Sequence, residues 1–225
     1  CLRAHRAPVL DATWSRAGLL SGDRAGLCAL WDLARAGADA AAAPVRELRG
    51  HRGHVTALAH LEELGRPEIF VTGAQDGTVR AWDARAARCA HAVAAHASDE
   101  GAGAVGAIRV AVLGGGGKGE GAGGVGGGLV VTAGADRRVC ALEPRMGFEV
   151  VHAFGEHRDF VYSLETFGPL ALSGAGDGML LCHDLVAGKC VYGLGANRGA
   201  VRCIHAAPDG LVAAGDDGNA IVYSF

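Results

Sequence analysis

Nowhere does the sequence run for about 18 apolar residues, the length a membrane-crossing helix needs, and no basic start leads into an apolar segment. No membrane span and no secretory leader are expected; cytoplasmic or nuclear residence is. No Cys-x-x-Cys pair occurs either. The seven cysteines (Cys1, Cys28, Cys89, Cys140, Cys182, Cys190, Cys203) are odd in number and widely spaced, which points to reduced thiols filling small core positions, with no metal site and no cofactor. His51 with His54, or Cys182 beside His183, have the character of ligands, yet neither forms a four-ligand set. Lysine is nearly missing. Only Lys118 and Lys189 stand among 21 basic residues, and with Ala and Gly abundant this reads as arginine-biased coding, so a lone arginine carries little weight. A net charge near −3 gives the surface as a whole no preference for nucleic acid. There is no Gly-x-Ser-x-Gly elbow and no acidic pair beyond those the repeats below explain, so no enzyme is expected.

What the chain does have is repetition. Half of its 225 residues are apolar, enough for a large core. The best copy of the repeat runs Gly50-His51, Val55, then Phe70-Val71-Thr72-Gly73-Ala74-Gln75-Asp76-Gly77-Thr78-Val79-Arg80-Ala81-Trp82-Asp83. Within it the hydroxyl of Thr72 lies four residues before the turn residue Asp76, and Trp82 lies six after. The first copy has His5, Val9, Ser21 and Trp31-Asp32, with Ala25 at the turn position. The third has His96, Thr132 and Asp136, with Leu142-Glu143 at its close; the fourth has His157, Val161, Ser173, Asp177 and His183-Asp184. The last keeps Val201 and Asp217, with Asn197, Ala213 and Tyr223-Ser224 at the other places.

Periods of about 40 to 45 residues with Gly-His early and Trp-Asp late mark a propeller blade of four strands. The chain resembles the WD-repeat (WD40) family over nearly its whole length. The resemblance implies an all-β propeller of four-stranded antiparallel blades, five of them here, at about 5–49, 50–95, 96–154, 155–195 and 196–225. It also implies a hydrogen-bond relay that staples each blade, carried by His51, Thr72, Asp76 and Trp82 and by His157, Ser173 and Asp177. A buried carboxylate is tolerable only when paired, so these residues are read as structural and not as hydrolase triads. Rings of the family usually have seven blades, and a chain opening on Cys1 is expected to have lost its natural start. Five blades then belong to a larger ring, or a smaller ring closes with residues 1–4 as the missing outer strand of the last blade.

Alternating apolar runs between Gly, Asp and Asn turns predict strands at 9–14, 17–22, 27–32, 45–49; 55–60, 68–73, 78–83, 88–94; 104–112, 129–133, 138–143, 148–154; 160–166, 169–174, 179–184, 189–194; and 200–206, 210–214, 219–225. Residues 34–44 read as an alanine-rich loop or short helix and 114–128 as a disordered glycine-rich loop. Lys118 is followed by Gly119 and no helix pattern, which separates that loop from a phosphate-binding one.

Two surfaces are candidates for function. The residue after the relay position is arginine in four of five copies, Arg6, Arg52, Arg158 and Arg198, and blade equivalence puts these on the top rim, where guanidiniums fork onto carboxylates or phosphates. His54 and Phe160 are expected beside them. The resulting expectation is a non-catalytic interaction scaffold gripping a protein or an acidic or phosphorylated peptide; duplicated, solvated arginines that bind nothing are the alternative, and Asp23, Asp99, Glu100, Asp159 and Asp216 stand near enough to neutralise them. On the other face, Trp82-Asp83-Ala84-Arg85 resembles the Trp-Asp-x-Arg box by which some family members dock onto the adaptor of a cullin-RING ubiquitin ligase as substrate receptors, which would make Arg85 the contact residue. A structural subunit of a ciliary, trafficking or RNA-processing assembly is the remaining reading.

Overall fold

Each apolar run that ends in a Gly or Asp turn forms a strand in the computed structural model, which describes residues 3–32, 43–86, 88–98, 101–113, 127–195, 197–207 and 209–224. Sheet one is β1 (Val9–Ser15), β2 (Gly18–Asp23), β3 (Leu27–Trp31) and β4 (Arg46–Arg49). Sheet two is β5 (Val55–Leu61), β6 (Arg66–Ala74), β7 (Val79–Asp83) and β8 (Arg88–Val93). A small hairpin, β9 (Ala97–Ser98) and β10 (Gly101–Ala102), was not foreseen. Sheet three is β11 (Val105–Leu113), β12 (Gly127–Gly134), β13 (Val139–Glu143) and β14 (Glu149–Phe154). Sheet four is β15 (Val161–Phe167), β16 (Leu170–Ala175), β17 (Met179–Asp184) and β18 (Lys189–Gly195); sheet five is β19 (Val201–Ala207), β20 (Gly210–Gly215) and β21 (Ala220–Ser224).

All five sheets are ordered as in the sequence, and every pairing given for them is antiparallel, as blades of a β-propeller require. Strands lie within two residues of their expected ends. Gly127 and Gly128, expected in the glycine-rich loop, instead open β12. Asp99, Glu100, the rest of that loop and most of the 34–44 segment lie outside the described residues. So do Cys1 and Leu2 of the expected closing strand; Arg3 and Ala4 carry no strand, and sheet five has three.

The chain divides into two compact units, Cys1–Val105 and Gly106–Phe225. In the first, Leu20, Cys28, Leu30 and Leu48 of sheet one pack against Val55, Leu58, Phe70 and Trp82 of sheet two. In the second, Val131, Val139 and Ala141 meet Val161 and Leu164, while Leu172 and Leu180 meet Val201, Ile204 and Leu211. Central strands are therefore covered on both faces, which is why β3 reads as a continuous apolar run.

Two irregularities repeat from blade to blade. The register slips by one residue straight after the start of the innermost strand, at Leu10, Thr56, Tyr162 and Arg202. A bulge of this kind re-aims the side chain that it carries. The outer strand slips at Ala90, Val151 and Val191. The turn between the second and third strands closes on a left-handed residue in every blade: Gly26 (φ 84), Gly77 (φ 73), Gly178 (φ 76) and Gly218 (φ 76), but Arg137 (φ 68) in sheet three. The next blade's relay loop is seated on this turn, with His96 N–H donating to Gly77 O at 3.2 Å and Asn197 N–H to Gly178 O at 3.1 Å.

Candidate functional site

In sheet two, Trp82 Nε1–H donates to Thr72 Oγ1 at 2.8 Å, and His51 Nε2 lies 2.6 Å from the same oxygen. Thr72 accepts the indole N–H and donates its hydroxyl to His51 Nε2, because the acceptor-only Asp76 carboxylate sets the imidazole N–H on Nδ1. That N–H points to Thr78 Oγ1 at 3.1 Å and to Asp76 Oδ1 at 3.4 Å. The Thr78 hydroxyl in turn donates to Asp76 at 2.6 Å. Burial pushes His51 down to about 4, against the opposing pull of Asp76, so the pair is a neutral donor on a carboxylate and not an ion pair. For Asp76 burial works upward, but hydrogen bonds from Arg52 N–H, the Thr78 hydroxyl and Thr78 N–H outweigh it and hold the carboxyl below its ordinary range. Thr72 is wholly buried, so the triad-like chemistry is sealed from any substrate and serves the blade.

Sheet one repeats the relay with one change. Trp31 Nε1–H donates to Ser21 Oγ at 2.8 Å and His5 Nε2 meets that oxygen at 2.7 Å, but His5 Nδ1 goes to Asp23 Oδ2 at 2.8 Å. The expectation that Ala25 leaves this turn without its carboxylate is corrected: Asp23, two residues earlier, reaches back and caps Ala25 N–H at 2.8 Å and Leu27 N–H at 3.0 Å. In sheet five Asn197 Nδ2–H donates to Asp217 Oδ1 at 2.7 Å. Ala213 supplies no oxygen there, and the Tyr223 hydroxyl is buried without a partner. His96 and Thr132 are fully buried, in the first and second units respectively.

Sheet four departs furthest. His157 Nδ1 faces Asp177 Oδ2 at 3.4 Å, and Ser173 Oγ lies 2.8 Å from both His157 Nε2 and His183 Nε2. His183 stands where sheet two has Trp82. By the same proton logic Ser173 donates to His157 and accepts from His183, which fixes the proton of His183 on Nε2. Its Nδ1 is then a bare lone pair, buried and without any hydrogen-bond partner. Burial, reinforced by nearby His157, pushes His183 down to about 4. A ring nitrogen of His183, the Cys190 thiol and a Glu156 carboxylate oxygen all lie within 4.8 Å of one another, and with Nε2 bonded to Ser173 it is Nδ1 that is left to face such a set. The outer-strand bulge at Val191 is what sets Cys190 opposite His183. Reading Cys182 beside His183 missed this set because Cys182 packs the other way, into the apolar core shared with sheet five.

The rim arginines use their backbone for structure. Arg52 N–H, Arg158 N–H and Arg198 N–H donate to Asp76, Asp177 and Asp217 at 2.8, 2.9 and 2.8 Å. Their guanidiniums, with that of Arg6, are exposed and form no ion pair among the described residues. Arg6, Arg52 and the half-buried His54 belong to the first unit, Arg158, Phe160 and Arg198 to the second. Within the second unit an aromatic and ionic cluster lies where the loops meet the first residues of β15 and β19. Phe160, 48% exposed, sits edge-on to Tyr162 with ring centres 6.4 Å apart. The Arg202 guanidinium covers Tyr162 at 4.0 Å and forks onto Asp216 at 2.8 and 2.6 Å. Tyr162 and Arg202 are the bulged residues of β15 and β19, so strand alternation alone gave no signal for them. An open cleft of about 400 Å³, lined by Glu156, Arg158, Asp177, Met179 and Leu181, adjoins this rim.

On the opposite strand ends, Trp82 is buried, so the Trp-Asp-Ala-Arg box presents only Asp83 and Arg85. Asp83 accepts from Arg85 N–H at 2.8 Å, Nε at 3.1 Å and Nη2 at 3.0 Å, and Arg46 Nη2 clamps the Arg85 carbonyl at 3.0 Å. Arg85 edges a cleft of about 430 Å³ that also takes in Arg16, Asp32 and Glu68.

A family model described as "WD domain, G-beta repeat" matches residues 42–83 and 188–224. No curated protein matches the chain. Among solved structures, the computationally designed Ika8 protein superposes with a TM-score of 0.76 at 20% identity, over 98% of this chain and 59% of that one. At that identity the likeness shows the fold alone, and the chain spans about three fifths of the designed protein's length.

Proposed function

We propose that the chain, whose residues 42–83 and 188–224 match the WD-repeat model, is a non-catalytic platform whose rim at blades four and five captures an acidic or phosphorylated segment of a partner protein. WD40 domains generally bind proteins or peptides, and the family is typically a scaffold. The observation that carries the finer reading is the exposed Phe160–Tyr162–Arg202 cluster, with the exposed guanidiniums of Arg158 and Arg198, which form no ion pair among the described residues, on the loops leading into it. Aromatic and arginine side chains dominate interface energetics, and free guanidiniums fork onto carboxylates and phosphates. Binding of fluorescent acidic and phosphorylated peptides by the purified chain is the test. Phe160→Ala with Tyr162→Ala should weaken capture by more than about 1 kcal/mol per residue. Equal affinity for neutral peptides, or no effect of those truncations, would sink the reading. Cytoplasmic or nuclear residence belongs to it as well, supported by free thiols at all six described cysteines.

A second reading, docking to a cullin-RING ligase adaptor, is favoured by one observation: Arg85 is exposed yet held rigidly by Asp83 and Arg46. Pull-down of the adaptor by the native chain but not by Arg85→Ala would support it.

A further inference from the structure

We propose that Glu156, His183 and Cys190 form a binding site for a single divalent cation of the zinc type on blade four. The site follows from a change of one residue in the repeat. Trp82 and Trp31 each give the relay hydroxyl an N–H and have nothing else to offer. His183 gives the same N–H through Nε2, 2.8 Å from Ser173 Oγ, and so keeps the staple while turning a lone pair outward on Nδ1. That lone pair is fully buried and unpaired. A buried acceptor left without a donor costs about 1–3 kcal/mol, so a native protein retains one where something else occupies it.

The surroundings suit a metal better than a proton. An imidazole whose other nitrogen donates to a fixed oxygen is the usual form of a metal-bound histidine, since that bond sets both tautomer and ring orientation. Phe154, its ring 4.6 Å from that of His183, adds a wall on one side. Cys190 lies across the strand pair and Glu156 in the loop leaving β14, so the donors come from three separate stretches of chain. Nitrogen, sulfur and oxygen donors together select zinc or its borderline-soft neighbours over calcium or magnesium. Tetrahedral bonds of about 2.0–2.3 Å place ligand atoms roughly 3.3–3.8 Å apart. The exposed Glu156 side chain closes the remaining gap from a separation within 4.8 Å. On binding, the Cys190 thiol releases one proton to solvent, and thiolate plus carboxylate balance the dication. Glu156 also lines the 400 Å³ cleft, so the fourth position opens toward solvent there. The ion would tie outer strand β18, through Cys190, to His183 of β17.

Cobalt(II) titration of the full, reduced, metal-free chain tests this. One equivalent should raise a thiolate-to-cobalt charge-transfer band with intense visible bands of tetrahedral type, and zinc should displace both. Cys190→Ser should remove the charge-transfer band, and Glu156→Gln, at an exposed position, should weaken binding at least about tenfold. His183→Trp restores the residue that the repeat uses elsewhere; it should fold and bind no cobalt. Zinc should raise the melting temperature of the native chain but not that of Cys190→Ser. No band at one equivalent, or a band that survives Cys190→Ser because exposed Cys203 or another thiol supplies it, overturns the proposal.

Discussion

Arg158 holds Asp177 with its backbone N–H, at 2.9 Å, and leaves its guanidinium in solvent. Any residue but proline makes that backbone bond, so the side chain at this place contributes nothing to the relay. Arg158→Glu combined with Arg198→Glu should therefore change stability by no more than about 0.5 kcal/mol, as exposed substitutions do. Capture of an acidic peptide should fall at least about tenfold, the effect of setting like charges against each other across an interface. Denaturant melts and peptide anisotropy measured on the same samples check both halves. A variant that melts far earlier would show that the guanidiniums are structural after all.

Thr72 is the node of the best-formed relay, accepting a hydrogen bond from the Trp82 N–H and donating one from its hydroxyl to His51. Thr72→Val preserves shape but strands a buried indole N–H and a buried imidazole nitrogen. Each loss costs about 1–3 kcal/mol, so a drop of about 2–5 kcal/mol in unfolding free energy is expected. Equilibrium urea unfolding measures it, and a drop below about 1 kcal/mol would mean that the relay is decorative.

The neutral relay histidines make the fold sensitive to acid. His51 is held near 4 from an ordinary value of 6.5, and burial lowers His157 in the same direction. The unfolded chain binds these protons first. The stabilisation is thus complete above about pH 6.5 and is lost as pH falls toward 4, on the order of 2–3 kcal/mol from His51. Asp76 and Asp177, also lowered, add to the loss only below their ordinary value of 3.8. Melting temperature should accordingly fall between pH 6.5 and 4. His51→Asn mimics Asn197, which holds Asp217 at 2.7 Å without a titrating ring; it should be less stable at pH 7 but show a flatter slope. An unchanged slope would move the sensitivity elsewhere.

Strand positions were legible because each depends on a local alternation bounded by Gly and Asp, and the offset from Thr72 to Asp76 and Trp82 fixed the relay. What escaped depended on geometry that the offsets do not encode. Asp23 replaces a carboxylate missing at Ala25 because a side chain two residues earlier on the same turn reaches the same N–H groups. Tyr162 and Arg202 meet because bulges push both out of the strand pleat. Cys190 comes opposite His183 through the slip at Val191, a pairing that an even count along β18 would have assigned to the wrong residue.

The same comparison between blades exposes a strained position. Gly26, Gly77, Gly178 and Gly218 take the left-handed turn position in four blades, and Arg137 takes it in the third with φ 68. Its N–H bonds Gly134 O at 3.2 Å, as Gly77 N–H bonds Ala74 O at 3.1 Å, so the turn itself is the same. An L-residue held there costs about 1–2 kcal/mol because Cβ crowds the following carbonyl. Arg137→Gly relieves that strain but gives back up to about 1 kcal/mol through a freer unfolded chain. A net gain of about 0.5–1 kcal/mol is expected, read as a higher denaturant midpoint with an unchanged slope. Arg137→Ala, which keeps a Cβ, should gain nothing. If alanine stabilises as much as glycine, the benefit comes from removing the guanidinium, and the backbone strain account fails.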